Sequence, residues 1–66
     1  MKTLSSVKEV MSFIEDGDSM WVTLITACSN EEIYSNWYFH MPYEFKEPDV
    51  TSIRIESTDH VILYIL

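Results

Sequence analysis

Between Ser6 and Asp16 the apolar residues recur at helical spacing, and after Ser19 that spacing never returns. Val7, Val10, Met11 and Ile14 stand at i, i+3, i+4 and i+7, which places them on one stripe of a helix. Leu4 and Phe13 extend the stripe. Ser6-Val7-Lys8-Glu9 has the form of a capping box, in which the Ser oxygen takes a free backbone N–H and the Glu carboxylate reaches back to the cap. At the far end Gly17 is placed to supply the left-handed residue that closes helices. Glu15 and Asp16 oppose the macrodipole there. The chain therefore has one amphipathic helix, and that helix needs an apolar surface to lie on.

Downstream the pattern is that of strands. Met20 to Ala27 is rich in β-branched and aromatic residues and lacks breakers. Ser29-Asn30-Glu31 is turn chemistry. From Ile33 to Met41 the residues alternate, with Ile33, Trp37, Phe39 and Met41 on one side and Tyr34, Asn36, Tyr38 and His40 on the other. The short link predicts an antiparallel hairpin. Pro42 and Pro48 bracket a segment that cannot lie in a central strand. Val50 to Glu56 alternates again, with Thr51, Ile53 and Ile55 opposite Ser52, Arg54 and Glu56. Ser57 to His60 forms the next turn, and Val61 to Leu66 is apolar throughout. A strand buried on both faces, or paired with another chain, has that composition.

The fold class these elements predict is α+β: one N-terminal amphipathic helix packed on a four-stranded antiparallel β-sheet, connected as a meander. The helix stripe is expected to cover the face carrying Trp37, Phe39, Ile53 and Ile55. A chain of 66 residues has room for a single domain, residues 1–66. With 47% apolar residues, it is too apolar for a disordered acidic tail.

Charge bears on the partner. Eleven acids face four bases, Lys2, Lys8, Lys46 and Arg54, for a formal charge of −7. Phosphate backbones and anionic lipid repel such a chain, so no direct nucleic-acid or membrane binding is expected. A partner met through charge is basic. The lone Cys28 cannot form an internal disulfide, and no signal-peptide or membrane-length apolar run is present. A cytoplasmic location is the expectation; the host cytoplasm, for a viral protein.

Catalytic and metal chemistry find little support. Cys28, His40 and His60 lack paired zinc-ligand spacing. Ser29-Asn30-Glu31-Glu32 surrounds the thiol with the wrong sign for an activated nucleophile, so Cys28 reads as a buried or strand-end structural residue. Asp16-Gly17-Asp18 does not continue into a calcium loop, and no glycine loop cradles phosphate. No enzyme activity, metal or cofactor is expected. A domain this small has little interior in which to push two carboxylates' pKa values apart.

Two features remain. The acids gather near turns: Glu31 and Glu32; Glu44, Glu47 and Asp49; Glu56 and Asp59. They are either solvated loops or a spaced array standing in for nucleic-acid phosphates. Residues 37–45 hold five aromatics, more than one strand face can bury against a single helix. Tyr34, Tyr38, Tyr43 and Phe45 therefore either build a second small core or join the acids in a partner-binding surface.

Three functions follow, in this order. The first is an inhibitor docking on a basic nucleic-acid-handling enzyme; in size and composition the chain is similar to small phage-encoded proteins of the anti-CRISPR or anti-restriction type. The second is an assembly protein whose Val61–Leu66 strand pairs with a partner sheet or forms a homodimer. The third, a minimal two-carboxylate enzyme, ranks last.

Overall fold

A computed structural model describes residues 5–66. It contains helix α1 (Val7–Ser12) and strands β1 (Trp21–Thr26), β2 (Glu31–Trp37), β3 (Val50–Ser57) and β4 (His60–Ile65). Single 3-10 turns occupy Gly17–Ser19, Tyr38–His40 and Tyr43–Phe45.

The capping box is formed. The Glu9 amide donates to Ser6 Oγ at 3.2 Å, and the Ser6 amide donates to Glu9 Oε1 at 3.1 Å. The helix stops at Ser12, short of the expected Asp16. From there the bonds tighten, Phe13 N–H to Val10 O and Ile14 N–H to Met11 O, both at 3.2 Å. No basic residue sits in the last turn to offset the exposed carbonyls. Phe13, expected on the buried stripe, is 83% exposed because the helix ends before it. Leu4 lies outside the described residues.

Gly17 has a different role from the one expected. The left-handed residue is Asp16, at φ 59° and ψ 32°, a conformation that short polar side chains tolerate better than most. Gly17 is needed for space: a Cβ on it would lie 2.8 Å from the Met11 carbonyl oxygen.

The sheet is mixed, with order β2-β1-β4-β3, and is not a meander. β1 pairs antiparallel with β2 and β3 with β4, while β1 and β4 run parallel down the middle. Burial explains the order. β1 and β4 carry the most apolar residues and take the two central positions, where both backbone edges are paired. β3, with Arg54 and Glu56, takes one edge, and β2, with Glu31 and Glu32, the other. Parallel neighbours require a crossover, which residues 38–49 supply. The expectation that Val61–Leu66 offers a free pairing edge is thereby corrected, since β4 has a strand on each side.

The core lies between the sheet and the layer formed by α1 and the crossover. Val22 and Leu24 of β1 and Val61, Leu63 and Ile65 of β4 meet Val7, Met11, Met20, Tyr38 and Met41 there. Fully burying one such aliphatic side chain stabilises by about 1.5–3 kcal/mol. Backbone bonds tie the layer together: Val7 N–H to Pro48 O and Lys8 N–H to Lys46 O, both at 3.0 Å.

This core differs from the expected one. β2 ends at Trp37, so the alternation read through to Met41 is broken by the 3-10 turn at Tyr38–His40. The phase of β2 is also the reverse of the expected one, with Tyr38 buried and Phe39 59% exposed, and the break returns Met41 to the core. Trp37 pairs with Trp21, whose alternation places it on the face opposite Val22 and Leu24. Ile53 and Ile55 do point to the helix side, opposite Leu63 and Val61, yet they remain 51% and 66% exposed. A six-residue helix is too short to reach over the β3 edge.

Candidate interaction surface

The second, open face of the sheet lies opposite the core; Thr23 on it is buried, and its other side chains are half-buried or exposed. On it, Trp37, Trp21 and His60 form one row across β2, β1 and β4, and Ser35, Thr23, Ile62 and Arg54 form the next. Period-2 alternation puts them there, because each is out of phase with Val22, Leu24, Val61 and Leu63. The Trp21 and Trp37 rings meet edge to face at 5.2 Å between centroids, and Trp37 stacks on Phe39 at 6.3 Å. Phe39 in turn lies against His40 at 4.3 Å. Such pairs add to stability beyond the area they cover. The result is a contiguous aromatic patch at one corner of the open face.

Hydrogen bonds hold this row in place. The Trp21 indole N–H donates to Ser35 Oγ at 3.0 Å, which lies 3.3 Å from Thr23 Oγ1. Thr23 Oγ1 is also 3.0 Å from His60 Nε2. His60, expected in a turn, opens β4 and is half-buried through this contact. His40 is exposed in its 3-10 turn.

The residues proposed from sequence as partner contacts separate into several places. Tyr38 is part of the core, with Lys46 Nζ 4.8 Å from its ring centroid. Burial, and secondarily the Asp18 carboxylate, raise its phenol above the ordinary 10.0. Tyr34 and Phe45 are half-buried against each other at 5.5 Å, and the Tyr34 hydroxyl donates to Trp37 O at 2.9 Å. Burial raises the Tyr34 phenol as well. The expected face of Tyr34 and Tyr38 is thus the inner one. Tyr43 is exposed.

The acids fall at three separate sites. Glu31 and Glu32 sit where β2 starts, beside Thr26 and Ile25. Glu56 and Asp59 lie at the other end of the sheet, beyond the length of a six-residue strand, or about 20 Å. Glu44 and Glu47 belong to the crossover; Asp49, next to β3, is half-buried. Glu56 Oε2 is paired with Arg54 Nε at 2.8 Å, and Asp59 Oδ1 accepts from Ser57 Oγ at 3.0 Å. Of these acids, Asp59 adjoins the aromatic row, its carbonyl oxygen accepting from the Trp21 amide at 2.7 Å.

Cys28 is exposed in the Ala27–Asn30 turn just past the end of β1, so of the two expected placements, buried or strand-end, the buried one is excluded. Among the described residues no group of three or more His, Cys, Asp and Glu is placed to hold a metal ion. A groove of about 520 Å³ beside α1 is lined by Lys8, Met11, Ile14, Asp16, Asp18 and Tyr38, among others, and both histidines lie outside it. Among the described residues no helix is long and apolar enough to cross a membrane.

The alternation of residues 33–41 hides the aromatic row, because it puts Trp37 with Ile33 and Met41 on the side expected to be buried. A signal for it existed. Trp21 and Trp37 each stand eight residues from Ser29, so a hairpin turning at Ser29 sets them opposite one another. No family model matches the chain, nor does any curated protein or any solved structure.

Proposed function

We propose that this domain is a non-catalytic protein-binding module whose open sheet face, centred on Trp21, Trp37 and Phe39, docks on a basic protein surface. The observation that carries the proposal is the aromatic corner, where Phe39 is 59% exposed beside the half-buried Trp21 and Trp37. An antiparallel edge hairpin with one face on the core normally shows polar residues on the other. Here that face presents two tryptophans and a phenylalanine, residue types that concentrate at the centres of protein interfaces. Asp59 adjoining it, and a net charge of −7, favour a cationic partner.

In its narrower form the partner is a nucleic-acid-handling enzyme that the domain inhibits. Acids divided among three separate sites do not form one continuous phosphate-like array. The aromatic face is therefore the principal contact, with charge steering the encounter.

The test is binding of the immobilised domain to a panel of purified DNA- and RNA-processing enzymes at low and high salt. At least one is expected to bind, with affinity falling as salt rises. Phe39→Ala, at an exposed position, is expected to weaken that complex at least about tenfold while leaving the circular dichroism spectrum unchanged. Binding that ignores both salt and Phe39→Ala overturns the proposal.

A further inference from the structure

Tyr38 is 8% exposed, and Lys46 Nζ stands 4.8 Å from its ring centroid, yet its hydroxyl makes no hydrogen bond to a described residue. Among those residues no side-chain oxygen or nitrogen is both sealed from solvent and unpartnered. The hydroxyl must therefore open into the groove of about 520 Å³ that Tyr38 lines beside α1. A phenol this enclosed ordinarily has a partner, so the groove holds one half of a contact. Its charges are divided between two ends. Gly17 packs against the Met11 carbonyl, and this close approach sets Asp16 and Asp18, on either side of it, at the C-terminal end of α1. The Asp18 charge is felt at Tyr38, whose phenol it helps to raise. Lys8 lines the same groove from the first turn of the helix, about 6 Å of helix rise before Ser12. Met11 and Ile14 supply an apolar wall.

We propose that this groove binds a small zwitterion: a primary ammonium held by Asp16, Asp18 and the Tyr38 hydroxyl, on a short aliphatic stem that lies along Met11 and Ile14 and ends in a carboxylate at Lys8. An ammonium brings three donors, enough for two carboxylates and a phenol oxygen. The stem matches the apolar wall, as in other ligand sites where a few polar groups fix the orientation. Lys8 disfavours a diamine, although a net charge of −7 attracts cations in general. The two aspartates disfavour a simple anion. An ω-amino acid has this chemistry, and so does the carboxy-terminal lysine of a peptide, through its side-chain ammonium and terminal carboxylate. The groove lies in the helix layer, across the sheet from the aromatic corner, so it is independent of what the open face binds.

Titration of the full chain, followed through its backbone amide NMR signals, tests this with four probes of equal stem length: ε-aminohexanoate, hexylamine, hexanediamine and hexanoate. ε-Aminohexanoate is expected to bind most tightly and to move the signals of Gly17, Asp18 and Tyr38. Hexylamine should follow, then hexanediamine, with hexanoate weakest. Asp18→Asn and Tyr38→Phe should each weaken ε-aminohexanoate roughly fivefold or more, since each removes a bond to a charged group. Lys8→Gln should bring it down to the affinity of hexylamine. Lys8 and Asp18 are exposed, so their variants are expected to keep the amide pattern of the folded chain. A peptide ending in lysine and its carboxy-amidated form separate the two sources. Binding of the first and not the second points to a chain terminus, and binding of neither beside tight ε-aminohexanoate points to the free compound. No shift of the groove signals at tens of millimolar overturns the proposal. So does hexanoate or hexanediamine binding as tightly as ε-aminohexanoate, or an affinity that none of the three variants changes.

Discussion

Tyr38 shows how one misplaced phase reverses a whole strand. The alternation sets it on the side expected to face solvent, yet it is buried in the core, because Tyr34, in step with it, faces inward opposite Leu24 while Trp37 faces outward. Its phenol is raised by burial first and by Asp18 second. The folded state therefore holds this proton more tightly than the unfolded chain does. The associated stability is fully present below pH 10.0 and is lost as pH rises through the folded value. Denaturant unfolding followed across the alkaline range should show stability falling above about pH 10. Tyr38→Phe should flatten that fall without removing it, because Tyr34 is raised in the same direction. An unchanged alkaline slope in the variant would place the titrating group elsewhere.

At the scale of elements, α1 is stabilised by its start more than by its length. Six residues are too few for a helix to stand alone in water, so the capping box and the packing of Val7 and Met11 hold it. Ser6→Ala removes the bond from the Glu9 amide and frees the Glu9 carboxylate from its reciprocal role. A loss of about 1 kcal/mol in unfolding free energy is expected, measured by urea titration. Ser6→Asp should lose far less, and equal losses in the two variants would show that the cap contributes nothing. The helix start was readable because a capping box is local, with all its partners within three residues. The helix end was not, because it depends on Gly17 packing under the Met11 carbonyl. The four strands were readable to within a few residues from composition and turn chemistry. The end of β2 was misplaced because Phe39 and Met41 continue the alternation in sequence while the backbone has already turned.

For the whole molecule, the charge imbalance is a standing cost. Eleven acids against four bases leave a net −7 on a body measuring 30 × 25 × 22 Å over the described residues. Arg54–Glu56 is the single ion pair among those residues. At low ionic strength the screening length, about 30 Å at 0.01 M, matches the size of the domain, so every acid feels every other. Raising sodium chloride toward about 0.5 M should therefore raise the melting temperature. A melting temperature that falls with salt would mean that attractive pairs outweigh the repulsion.

The residues alone determined the α+β class, the single helix and its start, the number of strands, the main turns and the sign of the chain's own net charge. These are local or summed properties, carried by periodicity, caps and composition. Strand order, the parallel centre of β1 and β4, and the identity of the open face were decided only in three dimensions. A period of two says that a strand has two faces without saying which one a distant helix will cover. With Trp37 and Tyr38 adjacent and both aromatic, that choice rested on where the crossover lies over the sheet.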